Sequence, residues 1–136
     1  MTAARPRQGL ADTSVFIASE SGRALDVASL PDELRVSVIT LAELQAGVLA
    51  ARTVADRAAR LQTVERIAAL EPLTVDAAAA AAWARLRVEI HQAGRRVNVN
   101  DLWIAAVAIA NDLPIVTQDD DFAVLAELGL ATVIPV

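Results

Sequence analysis

The chain contains no cysteine and no lysine, a single histidine and very few aromatic side chains, and each gap narrows what it can do. Without cysteine there are no disulfides and no thiolate metal sites. Without lysine, Schiff-base chemistry and lysine-assisted phosphoryl transfer are unavailable. One histidine, His91, excludes two-histidine acid–base catalysis and a histidine-rich zinc site. Aromatics make up 3% of the 136 residues while hydrophobic residues make up 55%, much of that alanine. Such a mixture favours helices over strands. No apolar run reaches the length of a membrane span. The N-terminal MTAARPRQGL lacks the apolar stretch of a signal peptide, so a cytoplasmic location is expected. The basic residues are all arginine and the net charge is −5. Broad nonspecific binding of nucleic acid is therefore not expected, because neutralising phosphates needs cations. Bound metal ions would reverse that sign locally.

What is present is an alternation of short apolar segments with helical patterns. No repeat, low-complexity stretch or linker interrupts it, and a single domain over 1–136 is expected. Residues 9–12 (GLAD) end a first strand, with a helix starting at Thr13 or Ser14. Residues 34–39 (LRVSVI) form the next strand candidate. From Thr40 to about Ala51, Leu41, Leu44 and Val48 recur at helical spacing. A second helix covers about 54–69, and LTV at 73–75 reads as a short strand. A long alanine-rich helix over about 76–93 stops at Gly94, a good C-cap residue. A helix at 101–112, a strand at 114–117, a helix at 120–128 and a strand near 131–134 complete the pattern. Strands alternating with helices predict an α/β fold, a short parallel sheet with helices on both faces. In such sheets ligands bind beyond the carboxyl ends of the strands, where Asp12 and Asp119 both fall.

The segment VTQDDDF at 116–122 poses the sharpest problem. Close carboxylates repel by roughly 4 kcal/mol per pair at an effective dielectric of about 20, so they face water or something cationic. Each acid has a structural alternative. Asp12 can cap the helix after it. Thr40-Leu-Ala-Glu43 matches a capping box. Asp101 suits the first turn of its helix, with Asn98 or Asn100 as cap. Asp119 to Asp121 can be a first-turn acid cluster. Taken jointly, however, four acidic positions lie at helix starts on one edge of the sheet. Their neighbours are small: Ala46 and Gly47 above Glu43, Ala105 and Ala108 above Asp101. A carboxylate pocket without lysine suits a hard cation, magnesium or manganese rather than zinc. The implied chemistry is metal-assisted attack of water on a phosphodiester.

LADTSVFIA, ITLAELQAGV, VNVNDLWIAAVAIANDLPIVT and TQDDDF follow one another over nearly the whole chain. With them the sequence resembles a PIN-domain ribonuclease, specifically a VapC-type toxin of a bacterial toxin–antitoxin pair. The resemblance implies a PIN fold, a magnesium-dependent endoribonuclease acting on RNA, a homodimer and inhibition by a small VapB-like antitoxin, with DNA contacted only through that antitoxin. By motif, Asp12, Glu43, Asp101 and Asp119 are the acids and metal ligands, with Asp121 an extra acid before the phenylalanine and Asp120 solvated. Thr13, Ser14 and Thr117 match supporting hydroxyls. A catalytically silent PIN-fold interaction module is the alternative. A receiver or haloacid-dehalogenase-like phosphotransfer domain would need the missing lysine, and no aspartate stands two residues after Asp12.

Other residues carry weaker expectations. Trp83 and Trp103 read as core or dimer contacts, or as RNA-stacking platforms. His91 reads as a surface residue. Arg85, Arg87, Arg95 and Arg96 are the densest basic cluster, a solvated face or an RNA-contacting edge, with Arg95 and Arg96 in the loop. Leu41, Leu44, Val48 and Leu61 form an apolar stripe expected to be partly exposed and to receive an antitoxin helix. The tail of such an antitoxin would present arginine to the acids.

Overall fold

A computed structural model describes residues 4–136, so the first three residues of the expected 1–136 domain lie outside the described residues. The elements are β1 (Gln8–Ala11), α1 (Thr13–Glu20), a 3-10 turn (Val27–Ser29), β2 (Glu33–Arg35), α2 (Val38–Leu49), α3 (Val54–Ala68), α4 (Ala77–Gln92), α5 (Val99–Ala110), β3 (Ile115–Thr117), α6 (Ala123–Glu127) and β4 (Val133–Pro135). The strands form one parallel sheet in the order β2-β1-β3-β4. This is the expected α/β architecture.

Alternation along the central strands divides the core into two faces. Leu10 and Ile115 pack with Leu86, Ile104, Phe122 and Leu125 in a cluster that also takes in much of α4 and α5. Ala11 and Val116 pack with Val15 of α1 on the other side. Ala79 and Ala82 of α4 and Ala105, Ala106 and Ala108 of α5 are buried, so small side chains let these two helices approach closely. A Cβ on Gly9 would lie 2.7 Å from the Val116 side chain and 2.8 Å from that of Pro31, so the strand start tolerates only glycine at its present packing. Gly94 does end α4 as expected. It adopts φ +69°, and the Arg95 N–H closes back on the Ile90 carbonyl at 3.1 Å.

Four expectations are corrected. The strand at 34–39 is only Glu33–Arg35, because Ser37 leaves the sheet to cap α2, its Oγ accepting from the Thr40 N–H at 3.3 Å. Thr40 is therefore inside the helix, and no capping box with Glu43 forms. The strand at 73–75 is reduced to one bridge between Leu73 and Ser37, since Asp76 three residues later caps α4. The helix expected from 120 begins at Ala123. The preceding residues turn back on Thr117, whose Oγ1 accepts from the Asp119 N–H at 3.0 Å.

The apolar stripe on the α2–α3 pair is also different from expectation. Leu44 is buried with Val36, Val64 and Ile67, and Leu41 and Val48 pack against that cluster. These three side chains hold the hairpin to the sheet end. Leu61, Leu49 and Val54 are the ones left exposed.

Candidate active site: a carboxylate cleft at the sheet edge

The carboxyl ends of β1 and β3 are tied together, the Asp12 N–H donating to the Val116 carbonyl at 3.0 Å. Asp12 follows β1 at the N-cap of α1, yet its carboxylate makes no capping bond. It accepts instead from Ser14 Oγ at 2.6 Å. Ser14 Oγ in turn lies 3.3 Å from Thr117 Oγ1 and accepts from the Gln118 N–H at 3.0 Å. Two strand ends thus share one hydroxyl pair, and Asp12 is 4% exposed above it. Burial pushes its carboxyl up to about 6 from 3.8. The Ser14 and Thr117 hydroxyls oppose that rise and the Asp119 charge adds to it.

Glu43 reaches the cleft from the second turn of α2. Its Oε1 accepts from Thr13 Oγ1 at 2.7 Å, and Asn100 Nδ2 of α5 approaches Oε2 at 3.5 Å. Asp101 sits in the first turn of α5, which Asn98 caps by accepting from the Asn100 N–H at 2.9 Å. Burial raises Asp101 to about 7. The charges of Asp121, Asp12, Glu43 and Asp119 raise it further, in that order. Asp119 and Asp121 both line the cleft, whereas Asp120 is exposed and does not; its carbonyl accepts from the Ala123 N–H to begin α6.

One cleft of about 300 Å³ therefore gathers Asp12, Glu43, Asp101, Asp119 and Asp121 from four separate segments, with the hydroxyls of Thr13 and Ser14 beside them. Thr117 supports from beneath. Sequence reasoning missed Arg23, Asn98 and Ile17, which also line this cleft. Arg23 is the one cation on its wall among the described residues and forms no ion pair there. No spacing pattern links it to the acids; it arrives after the left-handed turn at Gly22.

The remaining candidates lie elsewhere. Arg95 and Arg96 line a separate groove with Arg87 and His91, and not the acid cleft. Arg95 pairs with Glu127 at 2.9 Å, both exposed, which contributes little to stability. Trp83 and Trp103 stack on one another, centroids 4.9 Å apart, with the Arg87 guanidinium 5.5 Å over Trp83. They pack against the α4–α5 core, where the Trp83 indole N–H is buried without a partner among the described residues.

The donor set fits a hard divalent cation. It is all oxygen, and two of its carboxyls are raised by burial and by the charges of their acidic neighbours. Among the described residues no three acids are drawn together tightly enough to cage an ion. That openness suits magnesium, which keeps several waters and takes only one or two carboxylates plus phosphate oxygens.

A parallel sheet ending in convergent acids defines the class: the PIN domain family matches residues 10–128, and the chain belongs to it. Within that family it is 59% identical over 120 residues to Ribonuclease VapC5 of Mycobacterium tuberculosis, covering 88% of this chain and 89% of the relative. Ribonuclease VapC4 of the same organism is 42% identical over 127 residues, 93% of this chain and 98% of the relative. Among solved structures, VapBC-5 of M. tuberculosis, a member of the VapBC family of toxin–antitoxin systems, superposes with a TM-score of 0.89 at 53% identity. It covers 96% of this chain and 100% of that one. VapBC2 of Rickettsia felis, bound to a promoter DNA fragment, shares the fold with a TM-score of 0.77 at 22% identity, over 95% of this chain and 98% of that one.

Proposed function

We propose that this chain is the toxin of a VapBC-type toxin–antitoxin pair, a divalent-metal-dependent endoribonuclease whose active site is the carboxylate cleft. The observation that carries the reading is the convergence of Asp12, Glu43, Asp101, Asp119 and Asp121 on one small cleft, with two of them raised by burial and mutual repulsion. Magnesium or manganese, held by Asp12, Asp101 and Asp119 with Glu43 and Asp121 alongside, would supply positive charge to the scissile phosphate and activation of the attacking water. The chain's own residues do the positioning. Ser14 fixes the Asp12 carboxylate, Thr13 and Asn100 fix Glu43, and the Asn98 cap sets the turn that carries Asp101. Arg23 on the wall is placed to meet a phosphate of the incoming strand. Among the described residues no helix is long and apolar enough to cross a membrane. We place the protein in the cytoplasm, with its RNA substrate.

The partner is a VapB-like antitoxin, a reading supported by the VapBC assemblies that the fold resembles. Its apolar docking surface on α2 and α3 is restricted to Leu61, Leu49 and Val54, since Leu44 is buried. DNA contact belongs to the antitoxin, in keeping with the net charge of −5 on this chain.

Purified protein incubated with RNA and magnesium or manganese tests the assignment. The parent is expected to cut, excess chelator to stop it, and Asp101→Asn to reduce cutting by about 100-fold or more without loss of folding. Cleavage by the parent in chelator, or full activity of Asp101→Asn, sinks it. A parent silent with every cation supports the alternative of a non-cutting interaction module. Leu61→Asp is expected to bind the antitoxin several-fold more weakly; parent-like binding removes that docking surface.

A further inference from the structure

Two features coincide at the turn between α4 and α5. A groove of about 560 Å³ opens there, with Val88, Ile90, Val97 and Leu102 providing apolar surface and Arg87 and Arg96 providing charge. The turn also joins the groove to the acid cleft: Val97 lines the first, and the next residue, Asn98, lines the second. The carboxyl end of α4 thus delivers its arginines beside the amino end of α5, where Asp101 sits.

We propose that this groove is a nucleotide subsite, which holds one base of a single-stranded RNA flanking the scissile phosphate on its apolar floor and that nucleotide's phosphate against Arg96 and Arg87. The proposal rests on the ribonuclease reading above and deepens it. Volume and lining agree with such an occupant, since small-ligand sites run to about 300–1,000 Å³ and are mainly apolar with a few placed polar groups. Single-stranded RNA is held by its bases on flat or apolar surfaces and by cations along its backbone.

Charge argues for the same occupant. The acid cleft repels a polyanion, so a strand that reaches it needs cations along its path. Arg96 is exposed and forms no ion pair among the described residues, while Arg95 is engaged by Glu127. Arg87 lies over Trp83, an arrangement in which a guanidinium keeps N–H groups at its edge for a phosphate. A second copy of the chain fits less well. A two-fold contact centred here would bring arginine against arginine, because such an interface pairs each patch with itself.

The test uses the magnesium-loaded full chain and non-cleavable 2′-O-methyl RNA in two lengths, a dinucleotide and an octanucleotide. In the parent, lengthening the strand is expected to tighten binding by about tenfold, a factor in keeping with one well-held base. Arg96→Ala and Val88→Glu change exposed side chains, and unchanged circular dichroism confirms that each variant folds. Both variants are expected to lose most of the gain from lengthening. Arg96→Ala should also flatten the salt dependence of octanucleotide binding by roughly 0.7 in log–log slope, the value of one phosphate contact on a single strand. Variants that keep the full gain overturn the subsite while leaving the ribonuclease reading in place. A parent without any gain does the same. Variants that keep the gain but change the monomer–dimer distribution make the groove a self-association surface and overturn the proposal. A parent that binds neither RNA overturns the subsite together with the reading beneath it.

Discussion

The acid cleft and the arginine groove lie on either side of the Val97–Asn98 peptide bond and are built on opposite terms. The cleft stands on strand ends and helix starts, which the sheet register holds in place. Asp12 is buried and Glu43 and Asp101 are half-buried, with Asp119 and Asp121 exposed at the rim, and Asp12 and Asp101 lean toward the protonated form. The groove stands on the exposed end of α4 and a six-residue connection, and its arginines remain solvated. Desolvated like charges destabilise a fold unless something compensates them, whereas solvated arginines cost almost nothing. The difference teaches where each function can reside. On the proposed reading, chemistry uses the fixed and electrostatically unfavourable cleft, whose repulsion a bound cation would relieve. Capture of a long substrate would then need only accessible charge and an apolar surface nearby.

The contrast is broken most strongly by removing the hydroxyl beneath Asp12. Ser14→Ala is expected to slow RNA cleavage by at least about tenfold, the usual scale for the outer hydrogen bonds of a metal site. Its hydrogen bond lowers the Asp12 pKa, so its loss raises that pKa further. The acid limb of the pH–rate profile should then move to higher pH. An unmoved limb would show that Ser14 merely fills space.

Arg23 sharpens the comparison from the other direction, as the cation inside the acid cleft. Arg23→Ala is expected to raise KM several-fold with a smaller change in kcat, and Arg23→Lys to recover most of the loss. Steady-state cleavage of a short RNA measures both. A fall confined to kcat would assign Arg23 to the reacting phosphate rather than to capture.

The smallest effect is on stability. In the folded protein the Asp12 carboxyl lies at about 6 and that of Asp101 at about 7, both above the 3.8 of the free side chain. Between those values the folded chain binds more protons than the unfolded one, so these two groups favour the fold at acid pH and lose that contribution as pH rises through about 7. The metal-free protein should therefore melt a few degrees lower at pH 8 than at pH 5. Asp101→Asn should flatten that slope, and magnesium should restore stability at pH 8. Thermal melts across pH decide it, and a melting temperature that climbs over this range would contradict the strain assigned to the cleft.

Much of the architecture was legible in the residues because periodicity reports burial directly. The 3.6-residue pattern of α5 and the glycine stop of α4 survive folding because each is set within one turn of chain. Asp12, Glu43 and Asp101 were legible for another reason: each stands near a helix start, and a parallel sheet sends those starts to one edge. Local pattern failed where two local signals competed. At Ser37 a hydroxyl that can cap a helix ended β2 early, and at 73–75 two β-branched residues were outweighed by the cap at Asp76.

The sequence by itself determined the secondary-structure alternation, the all-oxygen donor set and the family, since composition and motif order require no coordinates. Only the tertiary structure decided which hydroxyl serves which acid, that Leu44 belongs to the interior, and that Arg23 shares a wall with Asp101 while Arg96 does not. Arg23 and Asp101 are far apart along the chain, and no local pattern encodes that distance. Their meeting follows from the β2-β1-β3-β4 order, which stacks the ends of distant segments on one edge.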